Sequence, residues 1–249
     1  PPQDLAAKTA GVVARHGGKP GRPAVFFRAD DVVAVDPEFM AMARIFAAVR
    51  APLSLAVIPA RTTPAAARGL LAACGGEDSL WCWHQHGVDH ENRAATGKKE
   101  ELPDSMGKEQ IRAAVARGKR TMEELFGERS EPVYTPPWNR CGRKVLEALT
   151  ALGFNAVSRA PGAEPPAGGE MKDIPVCMDL HTRKETSPED AAFRMLAELD
   201  RGLESGLLGV MIHHHRMNRA AVGYLKRLVG ILAAEQNFHL CHLGDLARA

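Results

Sequence analysis

Residues 84–90 read HQHGVDH, which places His84, His86 and His90 within one short stretch. Imidazoles joined by a carboxylate are a suitable donor set for a divalent cation. The chain contains ten histidines, and chance placement would give roughly 0.4 His-x-x-x-His pairs, so this stretch gains weight only from what accompanies it. His86 and His90 are four residues apart, and one turn of helix would put both rings on one face. His84 falls within or at the end of the preceding apolar run, where it reads as a core histidine or a support for the ligands.

Three other segments end in residues that can do chemistry. AVFF at 24–27 opens into RADD, which sets Asp30 and Asp31 side by side. One of two adjacent carboxylates can ligate a cation while the other takes a proton from water. The competing reading is that one of them caps the next helix. PVYT at 132–135 leads into Pro136, Pro137, Trp138, Asn139 and Arg140. Paired prolines fix the backbone there, so Trp138 could wall a pocket and offer its N–H to a developing oxyanion, unless the segment is only a rigid turn. LLGVMI at 207–212 ends in His213, His214 and His215. Strand alternation sets His213 and His215 on one side and His214 on the other, and one of them could serve as a general acid.

The elements that must carry these residues follow from hydrophobic spacing. Short apolar runs at 24–27, 53–58, 79–83, 132–135, 154–157, 173–180 and 207–212 predict buried strands, with a last one near 237–240. Helical spacing predicts helices over about 37–50, 63–73, 107–126, 142–152, 188–204 and 217–235. Thr63-Pro64 and Ser187-Pro188 read as N-cap and N1 pairs. Strand then helix, repeated seven or eight times, predicts a parallel sheet with helices outside, either a barrel or an open doubly wound sheet. In such folds ligands gather at the carboxyl ends of the strands, where all four candidate segments fall. Two long irregular segments, about 87–106 and 158–172, follow strands, and long loops in a compact domain are often functional. No linker divides the chain, so a single domain over 1–249 is expected.

Composition narrows the class. The 249 residues are 45% hydrophobic and 25% charged, as in ordinary globular chains, and no apolar run is long enough to span a bilayer. A formal charge of +2 with dispersed Lys and Arg argues against a nucleic-acid partner. Five cysteines, with no CxxC pair, argue against a disulfide framework or a thiolate zinc knot and fit a reducing compartment. The sequence opens on Pro1 without a charged-then-apolar leader, and cytoplasm is the default expectation. Oligomeric state is not legible.

In content and order these motifs resemble the polysaccharide deacetylases, the NodB-homology or carbohydrate esterase family 4 proteins, over about residues 24–215. The resemblance implies a distorted (β/α) barrel with about seven strands. The family's Thr-Phe-Asp-Asp-Gly motif aligns with Arg28-Ala29-Asp30-Asp31-Val32, which implies Asp30 as catalytic base and Asp31 as metal ligand. Its His-x-x-x-His motif implies His86 and His90 as the other ligands. Its Arg-x-Pro-Trp motif falls on 134–138, implying Trp138 and Pro137, with Arg140 nearby, as substrate contacts. Its Leu-x-x-His motif implies His213 as the acid, with His214 as rival and substrate contact.

The implied cofactor is one divalent ion, zinc first, with cobalt, nickel or manganese also suited to the ligands. The implied activity is hydrolysis of an acetyl or small acyl amide, on an acetylated sugar or another small amide. The Thr and Gly of the first motif and the Arg of the third are absent, and the fourth motif has only Asp179 and His181 near its place. A non-catalytic, metal-containing carbohydrate-binding protein therefore remains an alternative, as does a metal-dependent hydrolase of non-sugar amides.

Overall fold

The computed structural model describes residues 4–75 and 77–249; Pro1 lies outside them. In chain order its elements are α1 (Leu5–Gly17), β1 (Ala24–Val32), α2 (Pro37–Val49), β2 (Leu53–Val57), α3 (Pro64–Cys74), β3 (Trp81–His86), α4 (Lys108–Phe126) and β4 (Ser130–Thr135). There follow α5 (Arg143–Ala151), β5 (Ala156–Arg159), β6 (Lys172–Pro175), β7 (Met178–Asp179), α6 (Pro188–Glu204), β8 (Leu207–Ile212), α7 (Arg219–Ala234), β9 (His239–Leu240) and α8 (Leu243–Arg248). Parallel strands form a distorted (β/α) barrel, and the expected alternation of strand and helix lapses where β5, β6 and β7 follow one another with no helix between them. Among the described residues eight strands stand in the sheet order, not about seven, and short β9 pairs beside β1. The extra strand arises because the apolar run 173–180 breaks into β6 and β7.

Local chemistry accounts for the helix starts. Asp36, Thr63 and Ser187 each accept the backbone N–H three residues on, from Phe39, Ala66 and Asp190, and each is followed by a proline at N1. The predicted caps at Thr63 and Ser187 are thus present. Asp36, not Asp30 or Asp31, caps α2.

The chain forms two compact units. One contains the residues up to Ala29, Asp36–Leu53 and Val176–His242. Its strands run in the order β1-β8-β7, with Ala24 to Ala29 of β1 in register with Leu207 to Ile212 of β8. Phe27 meets Phe46 edge-on at 5.0 Å in its core. Helix α1, which the sequence reading did not anticipate, packs on α6 and α7, and Thr9 on its buried face shares a hydrogen bond with Tyr224.

The other unit contains Asp30–Val35, Ser54–Pro175 and Leu243–Ala249. Its strand order is β6-β5-β4-β3-β2, with the end of β1 beside β2. Strands β2 and β3 are buried throughout, as expected of strands covered on both faces. Its core joins Ile111 and Val115 of α4, Val145 and Leu149 of α5, and Val88 and Leu102 from the irregular segment after β3. The β3–β4 register slips between His84 and Gln85, so that His84 faces Glu131 while Gln85 faces Tyr134. Pro132 lies in the skipped stretch, and a proline offers no N–H to a ladder. The slip sets His86 opposite Thr135.

Candidate metal centre

Asp31 lies at the carboxyl end of β1 with φ 62°, a left-handed conformation unusual for a residue other than glycine. One of its carboxylate oxygens is 3.1 Å from Nε2 of His86 and 3.1 Å from Nε2 of His90. The three donor atoms all lie within 4.8 Å of one another. Donors about 2 Å from a shared zinc ion stand about 3 Å apart, so the spacing suits a single cation. His86 is buried, with its Nδ1 3.0 Å from the Thr135 carbonyl oxygen, which directs Nε2 toward Asp31. A carbonyl acceptor on the far nitrogen orients an imidazole ligand and fixes its tautomer. His84 is fully buried with Nε2 2.9 Å from the Thr135 hydroxyl, so it supports the same residue from the core, as expected.

Burial works to raise the Asp31 carboxyl, but the His86 and His90 imidazoles outweigh it and hold the group far below the usual carboxylate range. Burial works to lower His86, but hydrogen bonding to Asp31 and the charges of Asp30 and Asp31 raise it overall. Asp30, 3% exposed, adds a second carboxylate next to the ligand. Two imidazoles and a carboxylate, with a carbonyl behind one ring, fit a divalent cation.

His86 and His90 come together by a different route from the helical turn expected of their spacing. His86 ends β3; Gly87 and His90 take left-handed φ values of 58° and 61°, and no helix forms between them. The Gly87 N–H donates to the Thr135 carbonyl, and the His90 N–H donates to Glu101 Oε1 at 2.6 Å. Glu101 was missed by the sequence reading, in which it was one acid in an irregular segment.

Pro137, Trp138 and Asn139 form a short 3-10 turn after β4, with Trp138 at φ 55° and Asn139 at φ 57°. The Trp138 ring lies 4.6 Å from that of His90, and the Lys99 ammonium sits over it at 5.7 Å. Arg140 donates to the Lys99 carbonyl oxygen at 3.2 Å. The end of β4 and the loop after β3 are thereby joined around His90.

The histidine run after β8 is arranged differently. The strand ends at Ile212 and His214–Arg216 form a 3-10 turn, so strand alternation does not continue into them. The His213 N–H donates to His181 Nδ1 at 3.0 Å. Burial, with the charge of neighbouring His213, pushes His181 down to about 4. His214 is buried edge-on to Phe39 at 5.8 Å, with Nε2 3.8 Å from Asp36. His215 is exposed. Asp179 accepts the backbone N–H groups of His181 and Thr182, fixing the turn after β7. A pocket of about 260 Å³ lies in this unit, lined by Leu180, His181, Met195, Ala221 and Tyr224 among others.

Solved structures match this chain over nearly its full length. A provisionally named polysaccharide deacetylase from Mycobacterium smegmatis aligns with a TM-score of 0.67 at 19% identity, covering 92% of this chain and 93% of that one. The fold is that of the polysaccharide deacetylases. The peptidoglycan deacetylase PdaC of Bacillus subtilis aligns with a TM-score of 0.54 at 13% identity, covering 92% of each chain. A carbohydrate esterase family 4 pseudoenzyme from Bacillus anthracis aligns with a TM-score of 0.60 at 12% identity, covering 92% of this chain and 66% of that one. No family model and no curated protein matches the sequence. Among the described residues no helix is long and apolar enough to cross a membrane.

Proposed function

We propose that the protein is a metal-dependent hydrolase that removes an acetyl or small acyl group from an amide nitrogen, on a carbohydrate, with residues 1–249 acting as one catalytic domain. The observation that carries this reading is the convergence of Asp31, His86 and His90 on one point beside Asp30, on a polysaccharide-deacetylase fold. Asp31, His86 and His90 hold one divalent ion, with zinc the first choice for two imidazoles and a carboxylate and cobalt, nickel or manganese also suited. Such an ion, when bound, polarises the amide carbonyl and makes an attacking water more acidic.

The side chains supply the remaining steps. Asp30 takes the proton from the attacking water at its carboxylate. The Trp138 N–H donates to the oxyanion that develops on the carbonyl oxygen, and the Trp138 ring with Pro137 excludes water on that side. His213 gives a proton to the amide nitrogen as the carbon–nitrogen bond breaks, leaving acetate and a free amine. The burial of His214 against Phe39 favours His213 as the acid. Arg140 and His214 were expected to contact substrate; Arg140, held at Lys99, keeps that assignment at the rim. Five free thiols accord with a reducing compartment, and cytoplasm belongs to this reading.

The test is elemental analysis together with acetate release from a panel of N-acetylated sugars and small amides. The parent is expected to carry about one divalent ion per chain and to release acetate. A folded His86→Ala, His90→Ala variant should do neither, and Asp30→Asn should keep the ion and lose turnover. A parent that takes up no ion from solution would overturn the reading. A second reading, a non-catalytic carbohydrate-binding protein, is favoured by the likeness to a pseudoenzyme and by the missing third-motif Arg. It predicts bound ion and retained sugar without acetate.

A further inference from the structure

The Glu101 side chain is 2% exposed; the Arg93 charge reaches it and it shares a hydrogen bond with the Asp89 carboxyl, but its main partners are backbone N–H groups. Its Oε1 accepts from three consecutive backbone N–H groups: Val88 at 3.0 Å, Asp89 at 2.8 Å and His90 at 2.6 Å. Its Oε2 accepts from Val88 as well, at 3.0 Å. Successive N–H groups converging on one anion form a nest, an arrangement that exists only while the backbone keeps that curl. An anion this deep is costly to bury unless its oxygens are satisfied, so carboxylate and curl stabilise each other.

The surrounding chain is built to return Glu101 to this place. The Arg93 N–H donates to the Glu100 carbonyl, and Asn92 Oδ1 accepts the Glu100 N–H, closing the intervening segment on itself. Val88, which opens the nest, and Leu102, which follows the carboxylate, are both buried in one apolar cluster. A Cβ on Gly87, already at φ 58°, would lie 2.4 Å from Glu101 Oε2, so this position has room only for glycine. His90 is itself left-handed, a conformation that a residue other than glycine keeps only where its surroundings impose it.

We propose that Glu101 is a positioning residue that sets the affinity of the Asp31, His86, His90 centre by holding the backbone of His90 through its N–H nest. The inference rests on the metal reading above. Glu101 acts through the 88–90 backbone.

The test is titration of the metal-free full chain with Co²⁺, followed by its visible absorption, alongside thermal melting. Glu101→Met keeps the volume and removes both acceptors, and should weaken Co²⁺ binding about 10–100-fold, the usual effect of losing an outer support. Glu101→Gln retains one acceptor oxygen and should recover most of that loss. Asp173→Asn, which removes the carboxylate from buried Arg159, serves as the stability control and should lower the melting temperature with Co²⁺ affinity unchanged. Hydrogen exchange on the unsubstituted chain provides a measurement free of folding defects: the Val88, Asp89 and His90 amides should be protected. Glu101→Met binding Co²⁺ like the parent, or unprotected amides at 88–90, would overturn the inference while leaving the metal reading in place. A parent that binds no Co²⁺ removes both.

Discussion

Two histidine clusters follow strands in this protein, and they are held in opposite ways. At the end of β3 and just beyond it, His86 and His90 meet one carboxylate oxygen, with a carbonyl behind the first ring and a buried glutamate on the backbone N–H of the second. After β8, His213, His214 and His215 differ in their surroundings: the first is tied through its N–H to His181, the second is packed on Phe39, and the third is exposed, edge-on to the other two rings at 5.9 and 5.6 Å. A run of three identical residues thus carries three different environments, whereas two residues separated by three others meet on one oxygen. Spacing in sequence sets what a cluster can do, and the backbone acceptors around it set what it does.

The sharpest way to test that contrast is to substitute within the second cluster. His213→Gln should lower turnover by about 10²–10⁴-fold, the usual loss for a general acid, with the divalent ion retained. His214→Gln should leave turnover per folded molecule near the parent value. Steady-state rates and elemental analysis on both variants check this, and equal losses from the two would dissolve the distinction. A smaller effect concerns stability. His214→Ala removes a buried ring from Phe39 and should cost about 2 kcal/mol in chemical denaturation, whereas His215→Ala, at an exposed position, should cost under about 0.5 kcal/mol.

A further effect on stability depends on pH. His181, at about 4, lies below its ordinary value of 6.5, so the unfolded chain binds the proton first as pH falls. Stability contributed by neutral His181 is therefore present above about pH 6.5 and declines toward pH 4, by at most about 1.4 kcal/mol per pH unit. His181→Gln should flatten this part of the stability profile, measured by urea denaturation at several pH values, and an unchanged slope would assign it to other groups.

Much of this architecture was legible because its signals are local. The apolar runs and the Thr63-Pro64 and Ser187-Pro188 pairs marked strands and helix starts without reference to distant residues. Helix α1 escaped because Thr9 and His16 occupy its buried face, interrupting the apolar stripe with side chains satisfied by Tyr224 and Asp200. The run at 173–180 read as one strand because the irregular link between β6 and β7 is as apolar as the strands on either side. At the candidate centre the residue types that converge were legible, but the path joining them was not. A four-residue spacing suggests a helix, and only a register slip in β3–β4 and a glycine without space for a side chain reveal a turn in its place. Glu101 is separated from His90 by a loop that closes through backbone bonds, and no periodicity marks such a partner.

Among the described residues other than glycine, five have positive φ: Arg50, which ends α2, and Asp31, His90, Trp138 and Asn139 around the candidate centre. Left-handed backbone favours glycine, so glycine at Asp31, His90 or Asn139 would ease the local fold even as it erased the chemistry. A lineage released from selection for activity would have a downhill path at these positions, and decay of the centre would begin there while the barrel around it persisted.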